Sequence, residues 1–146
     1  MKMLKNEKGF TLIELVLIIV VLGILGAVAT LQFGTVMTDS KDAAIDGAFG
    51  SFGAQLALAI NENKALPVSG AGAGSFGEDV HAKVSIGGDG VVISAYTAAS
   101  DTFGICAGST DCTDAATPTC TGTHRSARVT YNPTTGALTL GTKGNC

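Results

Sequence analysis

Residues 10–31 read FTLIELVLIIVVLGILGAVATL, 22 residues interrupted by a single charge at Glu14. As a helix rising about 1.5 Å per residue, this run would span about 33 Å. That is enough to cross a bilayer core of about 30 Å, so the run predicts a transmembrane helix. Just before it, residues 1–9 hold Lys2, Lys5 and Lys8 against Glu7, a basic flank that would keep this end on the cytoplasmic side. Ala27-Val28-Ala29 offers the small-x-small form that signal peptidase prefers. Two features argue against cleavage there. The run is longer than an ordinary signal core, and a carboxylate near its start costs up to about 2.5–3.5 kcal/mol at a helix centre, less toward an end.

Beyond Leu31 the pattern becomes amphipathic. Phe33, Val36, Met37, Ala44, Ile45, Ala48, Phe49, Phe52, Leu56, Ala59 and Ile60 recur at steps of three and four, with Asp39, Lys41, Asp42 and Asp46 on the other face. No proline occurs before Pro67. One helix is therefore expected to continue to about Asn63, about 80 Å long by helix rise. It is too long to lie wholly within a compact domain of this size, so its first half should project. Gly47, Gly50 and Gly53 each cost up to about 1 kcal/mol relative to Ala, and close approach of a sheet or neighbouring helix is the expected reason for them.

After a Gly/Ala/Ser segment at 69–77, read as a flexible linker, the sequence turns period-two and β-branched. Residues 80–86 and 91–96 predict strands joined by Gly87-Gly88-Asp89-Gly90; residues 125–131 and 137–140 predict a second pair joined by Asn132-Pro133-Thr134-Thr135-Gly136. The expected class is α+β: a long N-terminal helix, membrane-spanning in its first half and amphipathic in its second, packed on an antiparallel sheet of about four strands. Ile45, Phe49, Phe52, Leu56 and Ile60 form the stripe expected to bury against that sheet, at roughly 1.5–3 kcal/mol per large side chain.

The whole chain has 146 residues and a formal charge of −3. One domain with a real core fits that length, with an appended segment. The basic leader contributes +2, leaving a mildly acidic body of −5 with no basic run, hence no electrostatic footprint for nucleic acid. All four cysteines, Cys106, Cys112, Cys120 and Cys146, lie in the final third. Behind an export signal, disulfides are the natural reading. Zinc is disfavoured because no C-x-x-C occurs and His81 and His124 stand apart. Four cysteines allow three pairings, all open at this level.

No catalytic constellation emerges. Gly72-Ala73-Gly74-Ser75-Phe76-Gly77 matches G-x-G-x-x-G but follows a helix and precedes a strand, the reverse of the dinucleotide-binding context. His81 and His124 have no nucleophile arrangement beside them, and surface positions are expected for both. Asp101, Asp111 and Asp114 lack EF-type spacing and read as solvated loop residues rather than a calcium site. The aromatic residues read as core rather than as an electron-conducting path. No metal and no cofactor is expected.

Lys8-Gly9-Phe10-Thr11-Leu12-Ile13-Glu14, at the junction of leader and apolar run, resembles the processing and methylation signal of type IV pilins and type II secretion pseudopilins. The resemblance implies cleavage between Gly9 and Phe10 by the prepilin peptidase, N-methylation of Phe10, and a role in assembly for Glu14. Physical reasoning agrees about Glu14: no Lys or Arg lies in the run to neutralise it, and cleavage would expose an α-amino group at similar depth. Pairing five residues apart within one helix is poor. The better partner is the amino group of an adjacent subunit, with Leu12, Ile13, Leu15, Leu17, Ile18 and the residues through Leu31 packing as a filament core. Leu31 stands where the family commonly has proline, so the family's kink is not expected from this sequence. Residues 39–48 and a cysteine closing the chain resemble mannose-sensitive haemagglutinin-type pilins, where a disulfide often pins the C-terminal loop; Cys146 would be its anchor.

The expected organisation is a leader at 1–9, a transmembrane and filament-core helix at 10–35 and a globular head at 36–146. The expected product is a structural, non-enzymatic subunit of a type IV pilus for adhesion, motility or DNA uptake. It would be a single-pass inner-membrane protein before assembly and extracellular after it. Its partners would be copies of itself, the prepilin peptidase, the inner-membrane assembly machinery and, before assembly, the membrane. A type II secretion pseudopilin is the alternative within the same assembly class, and a signal-anchored periplasmic binding domain the alternative from another.

Overall fold

The computed structural model describes residues 9–84, 86, 90–109, 112 and 124–145. The leader before Gly9, the glycine turn at 87–89, Asp111, Asp114, Cys120 and Cys146 lie outside the described residues. Helix α1 runs Leu12–Asn63, 52 residues without a break at Leu31. It ends as the sequence dictates. Lys64 adopts a left-handed conformation (φ 52°) just past the last turn, and Pro67 supplies no backbone donor to continue the ladder.

The chain divides into two compact units, Met1–Met37 and Thr38–Cys146. In the first, the large apolar residues of α1 are exposed among the described residues: Leu12 is 82% exposed and Leu31 78%. In the second, the same helix buries Ile45, Ala48, Phe52, Leu56 and Ala59, with Phe49 and Ile60 partly covered. The predicted stripe is thus the core-facing face of the helix.

The sheet is antiparallel, in the order β1-β2-β3-β4, with β5 also on β3. Its strands are β1 (Val91–Ile93), β2 (Thr102–Ala107), β3 (Arg125–Asn132), β4 (Ala137–Leu140) and β5 (Gly144–Asn145). Phe103 stands opposite Val129 and Ile105 opposite Ala127 in the central pair. These four side chains are buried and join the helix stripe, Phe76, Val80 and Tyr131 in one core. The β3–β4 turn follows its sequence. Asn132 Oδ1 accepts from the Thr134 and Thr135 N–H groups at 2.9 and 3.1 Å, and Gly136 takes φ 71°, a conformation glycine adopts without penalty.

Four expectations are corrected. Residues 80–84 form no strand: a π-helical turn, Gly77–His81, occupies this segment, and Val84 N–H donates to the Val80 carbonyl. β1 pairs with Thr102–Ala107 instead of with an earlier strand. The 69–77 segment is no flexible linker. Val68 and Phe76 N–H groups donate to Gly74 and Val68 carbonyls at 3.1 and 3.0 Å, and the buried Tyr131 hydroxyl donates to the Pro67 carbonyl at 2.8 Å. Gly77 is glycine because a Cβ there would stand 2.6 Å from the Gly70 carbonyl oxygen, so the G-x-G-x-x-G match reflects packing. Finally, an added Cβ at Gly47, Gly50 or Gly53 would meet nothing within 4 Å, so no close approach among the described residues accounts for these three.

Candidate functional site

The N-terminal site is built on the first turn of α1. Its opening amides lack intrahelical partners, and Thr11 and Glu14 supply them. Glu14 Oε2 accepts from the Thr11 backbone N–H at 3.0 Å and from the Thr11 hydroxyl at 2.9 Å. Glu14 N–H in turn faces Thr11 Oγ1 at 3.4 Å. This is a reciprocal capping box, and the carboxylate sits at the positive end of the helix dipole. The spacing Thr11-x-x-Glu14 is a legible signal for such a box, beside the intermolecular partner that the apolar surround suggests for Glu14. Within a single chain, Glu14 is not an unsatisfied carboxylate.

Around this cap the surface is apolar. Leu12, Ile13, Leu15, Leu17 and Ile18 are each at least half exposed, and α1 contains a window long and apolar enough to cross a membrane, with none of it buried. Gly9 and Phe10 precede the helix, Phe10 being 85% exposed. An added Cβ at Gly9 would meet nothing within 4 Å, so the fold itself does not require glycine there.

In the head, Cys106 and Cys112 are joined in a disulfide with Cα atoms 5.8 Å apart. Cys106 lies in β2 and is buried. Cys120 and Cys146 are outside the described residues. Non-reducing peptide mapping is expected to recover Cys106 linked to Cys112. Recovery of Cys106 with Cys146 would contradict the structure. Among the described residues no cluster of three metal-ligating side chains occurs.

The polar residues of the head act in its architecture. Arg125 on β3 donates to Asp42 on α1 through Nε and Nη2 at 2.7 and 2.8 Å and reaches Asn145 on β5 at 3.0 Å. Lys143 pairs with Asp46 at 2.6 Å. Helix and C-terminal strands are thereby tied. The Arg125 hydrogen bonds hold the Asp42 carboxyl below its ordinary range, with partial burial opposing them. A depressed carboxylate contributes stability that is present above the unfolded-state pKa of about 3.9 and lost as pH falls through the lower folded value. Asp42→Asn is therefore expected to flatten the acid limb of a thermal-melt series below about pH 4; an unchanged limb would contradict the role given to this pair.

Asp101, expected to be solvated, instead accepts from Tyr96 and from the Ser69 hydroxyl. Burial, with the Asp101 carboxylate beside it, pushes the Tyr96 phenol up. His81 is half-buried among aromatic rings rather than on the surface. His124 is likewise half-buried.

No curated protein and no solved structure matches the chain. A family model, the prokaryotic N-terminal methylation motif, matches residues 4–30, which include Gly9, Phe10, the Thr11–Glu14 cap and most of the exposed apolar run. Its families are structural, and the motif implies processing by prepilin peptidase and pilus-type assembly. The chain thus carries at its N-terminus the prepilin signal of type IV pilins, on a helix apolar enough to anchor the precursor in a membrane.

Proposed function

We propose that the chain is a type IV pilus subunit, cleaved between Gly9 and Phe10, methylated on the Phe10 amine and polymerised through residues 10–35, with residues 36–146 as the surface head. The observation that carries this reading is the coincidence of the methylation motif with an apolar surface that is exposed, among the described residues, from Leu12 to Met37. At about 25 cal/mol per Å² of apolar surface, leaving so many large side chains in water would be untenable. Lipid covers them before assembly, and other copies cover them afterwards.

In the filament, Glu14 exchanges part of its Thr11 cap for the methylated amino group of a neighbouring subunit, which sets axial register. Methylation keeps the positive charge while reducing its hydration. The filament serves at the cell surface in adhesion, motility or DNA uptake.

Since the fold places no demand on Gly9, the requirement for glycine belongs to the peptidase. Gly9→Leu is expected to leave a folded, membrane-bound precursor of uncleaved mass and no surface filament. Cleavage of the variant at the wild-type position would contradict this assignment. A pseudopilin would show the same processing with filaments confined to the periplasm, so immunogold labelling of intact cells separates the two.

A further inference from the structure

His81 occupies an unusual place for a titratable side chain. It closes the Gly77–His81 turn and inserts its ring between three elements of the head. The Phe103 ring of β2 meets it edge-on at 4.9 Å. Phe52 of α1 stacks at 5.9 Å, and Tyr96, from the β1–β2 connection, lies at 5.8 Å. Phe52 and Phe103 are fully buried.

The polar contact of the ring is Nε2 with the Ser94 carbonyl at 3.0 Å. A carbonyl only accepts, so Nε2 carries the proton in the neutral ring and Nδ1 is the bare nitrogen. Acid therefore adds its proton at Nδ1, while the Ser94 bond survives.

Among the described residues no anionic side chain is placed to pair with that charge. From α1 the ring meets Phe52; Gln55 and Asn63, farther along, are spent on the carbonyl and carboxylate of Asp79. From the β1–β2 connection come the Ser94 carbonyl and Tyr96, whose hydroxyl is committed to Asp101. On its own turn, Asp79 pairs with Lys83 at 3.7 Å, and Glu78 is exposed. Among the described residues no carboxylate stands within ion-pair distance of His81. Burial accordingly pushes the imidazole below its ordinary value, against the smaller opposing influence of the Ser94 carbonyl.

We propose that His81 is an acid-operated latch: the neutral ring holds the turn at residues 76–84 onto the aromatic core of the head, and its protonation releases that turn while the sheet stays formed. The direction follows from linkage. A base whose folded pKa is lowered stabilises the closed form fully above about pH 6.5, and that contribution is lost as pH falls through the lowered value. Asp42 responds only in a more acidic window, so the two effects separate.

The test is hydrogen exchange on the full chain in detergent micelles at pH 7.5 and pH 5.0, with rates corrected for the intrinsic effect of pH. Peptides covering 76–84 are expected to lose protection several-fold at pH 5.0, bounded at about tenfold per pH unit for one proton. Peptides covering 125–132 should not change. His81→Gln, which can still donate to the Ser94 carbonyl but does not titrate, should abolish the pH difference. Unchanged protection at 76–84 in the wild type, or an equal loss in the variant, would overturn the latch. Should the variant not fold, NMR titration of wild-type His81 decides. A pKa below that of free histidine, with its midpoint tracking the loss of protection, supports the proposal; a value at or above it removes it.

Discussion

Glu14→Gln chains are expected to reach the membrane, to be cleaved after Gly9 and to fold, yet to yield surface filaments reduced by at least about a hundredfold. The substitution separates the observed capping role of this side chain from its proposed role in assembly. In the single chain Glu14 accepts from the Thr11 N–H and hydroxyl, and glutamine at the third helical position serves the same capping function. The helix start is therefore preserved. What glutamine cannot supply is the charge that the proposed pairing with a neighbouring subunit's amino group requires in an apolar surround. Leaving one partner of a buried pair uncompensated costs about 3–5 kcal/mol, and each 1.4 kcal/mol is a factor of ten in an equilibrium. Sheared-fibre yield and N-terminal processing, measured on the same cells, check the two halves of the expectation. Wild-type filament yield would reduce Glu14 to a helix cap. Loss of cleavage would move its role to the peptidase step.

Phe52→Ala is expected to lower the stability of the head by about 3–5 kcal/mol. Phe52 is wholly buried, lies 4.4 Å from Phe103 between ring centroids and also stacks on His81. Its loss leaves a cavity at the junction of α1, β2 and the Gly77–His81 turn. A domain of this size has about 5–15 kcal/mol in all, so the variant head should unfold at much lower urea. Phe33→Ala is the matched control. Phe33 is 67% exposed and belongs to the N-terminal unit, so removing it should change head unfolding by no more than about 0.5 kcal/mol. Urea titration of the full chains in detergent, followed by tyrosine emission, compares them. Equal midpoints would show that the head core is not where these contacts place it.

Much of this architecture is legible in the residues themselves. The three- and four-residue spacing from Phe33 to Ile60, with no proline before Pro67, marks one helix, and its end falls at Asn63. β3 alternates from Ala127 to Asn132, and Asn132 to Gly136 make the turn into β4. The misread elements have physical causes. Val80, Ala82, Val84 and Ile86 alternate as a strand would, but Val80 and Val84 are also one helical turn apart, and the two templates coincide over so short a run. The tight turn is favoured by the close packing that Gly77 permits. Thr102–Ala107 is hidden in the sequence for the opposite reason: all six residues are buried, so no alternation marks the strand.

The site was legible to a different degree. Glu14 and its setting are visible because lipid makes a lone carboxylate costly, and the capping box is visible in its spacing once looked for. The Cys106–Cys112 pairing was not, because four cysteines leave three combinations that only the fold of β2 resolves. The burial of His81 was equally hidden. Its aromatic neighbours come from residues 52, 96 and 103, brought together by tertiary packing rather than by any local pattern.

Mass spectrometry of the N-terminal peptide from sheared surface material tests the filament reading most directly. The account predicts a mature chain that begins at Phe10 and carries one methyl group on its amine, with Glu14 and the whole apolar run retained. A chain beginning at Thr30, released by cleavage after Ala29, would lack Glu14 and residues 10–29, and would contradict assembly through this helix.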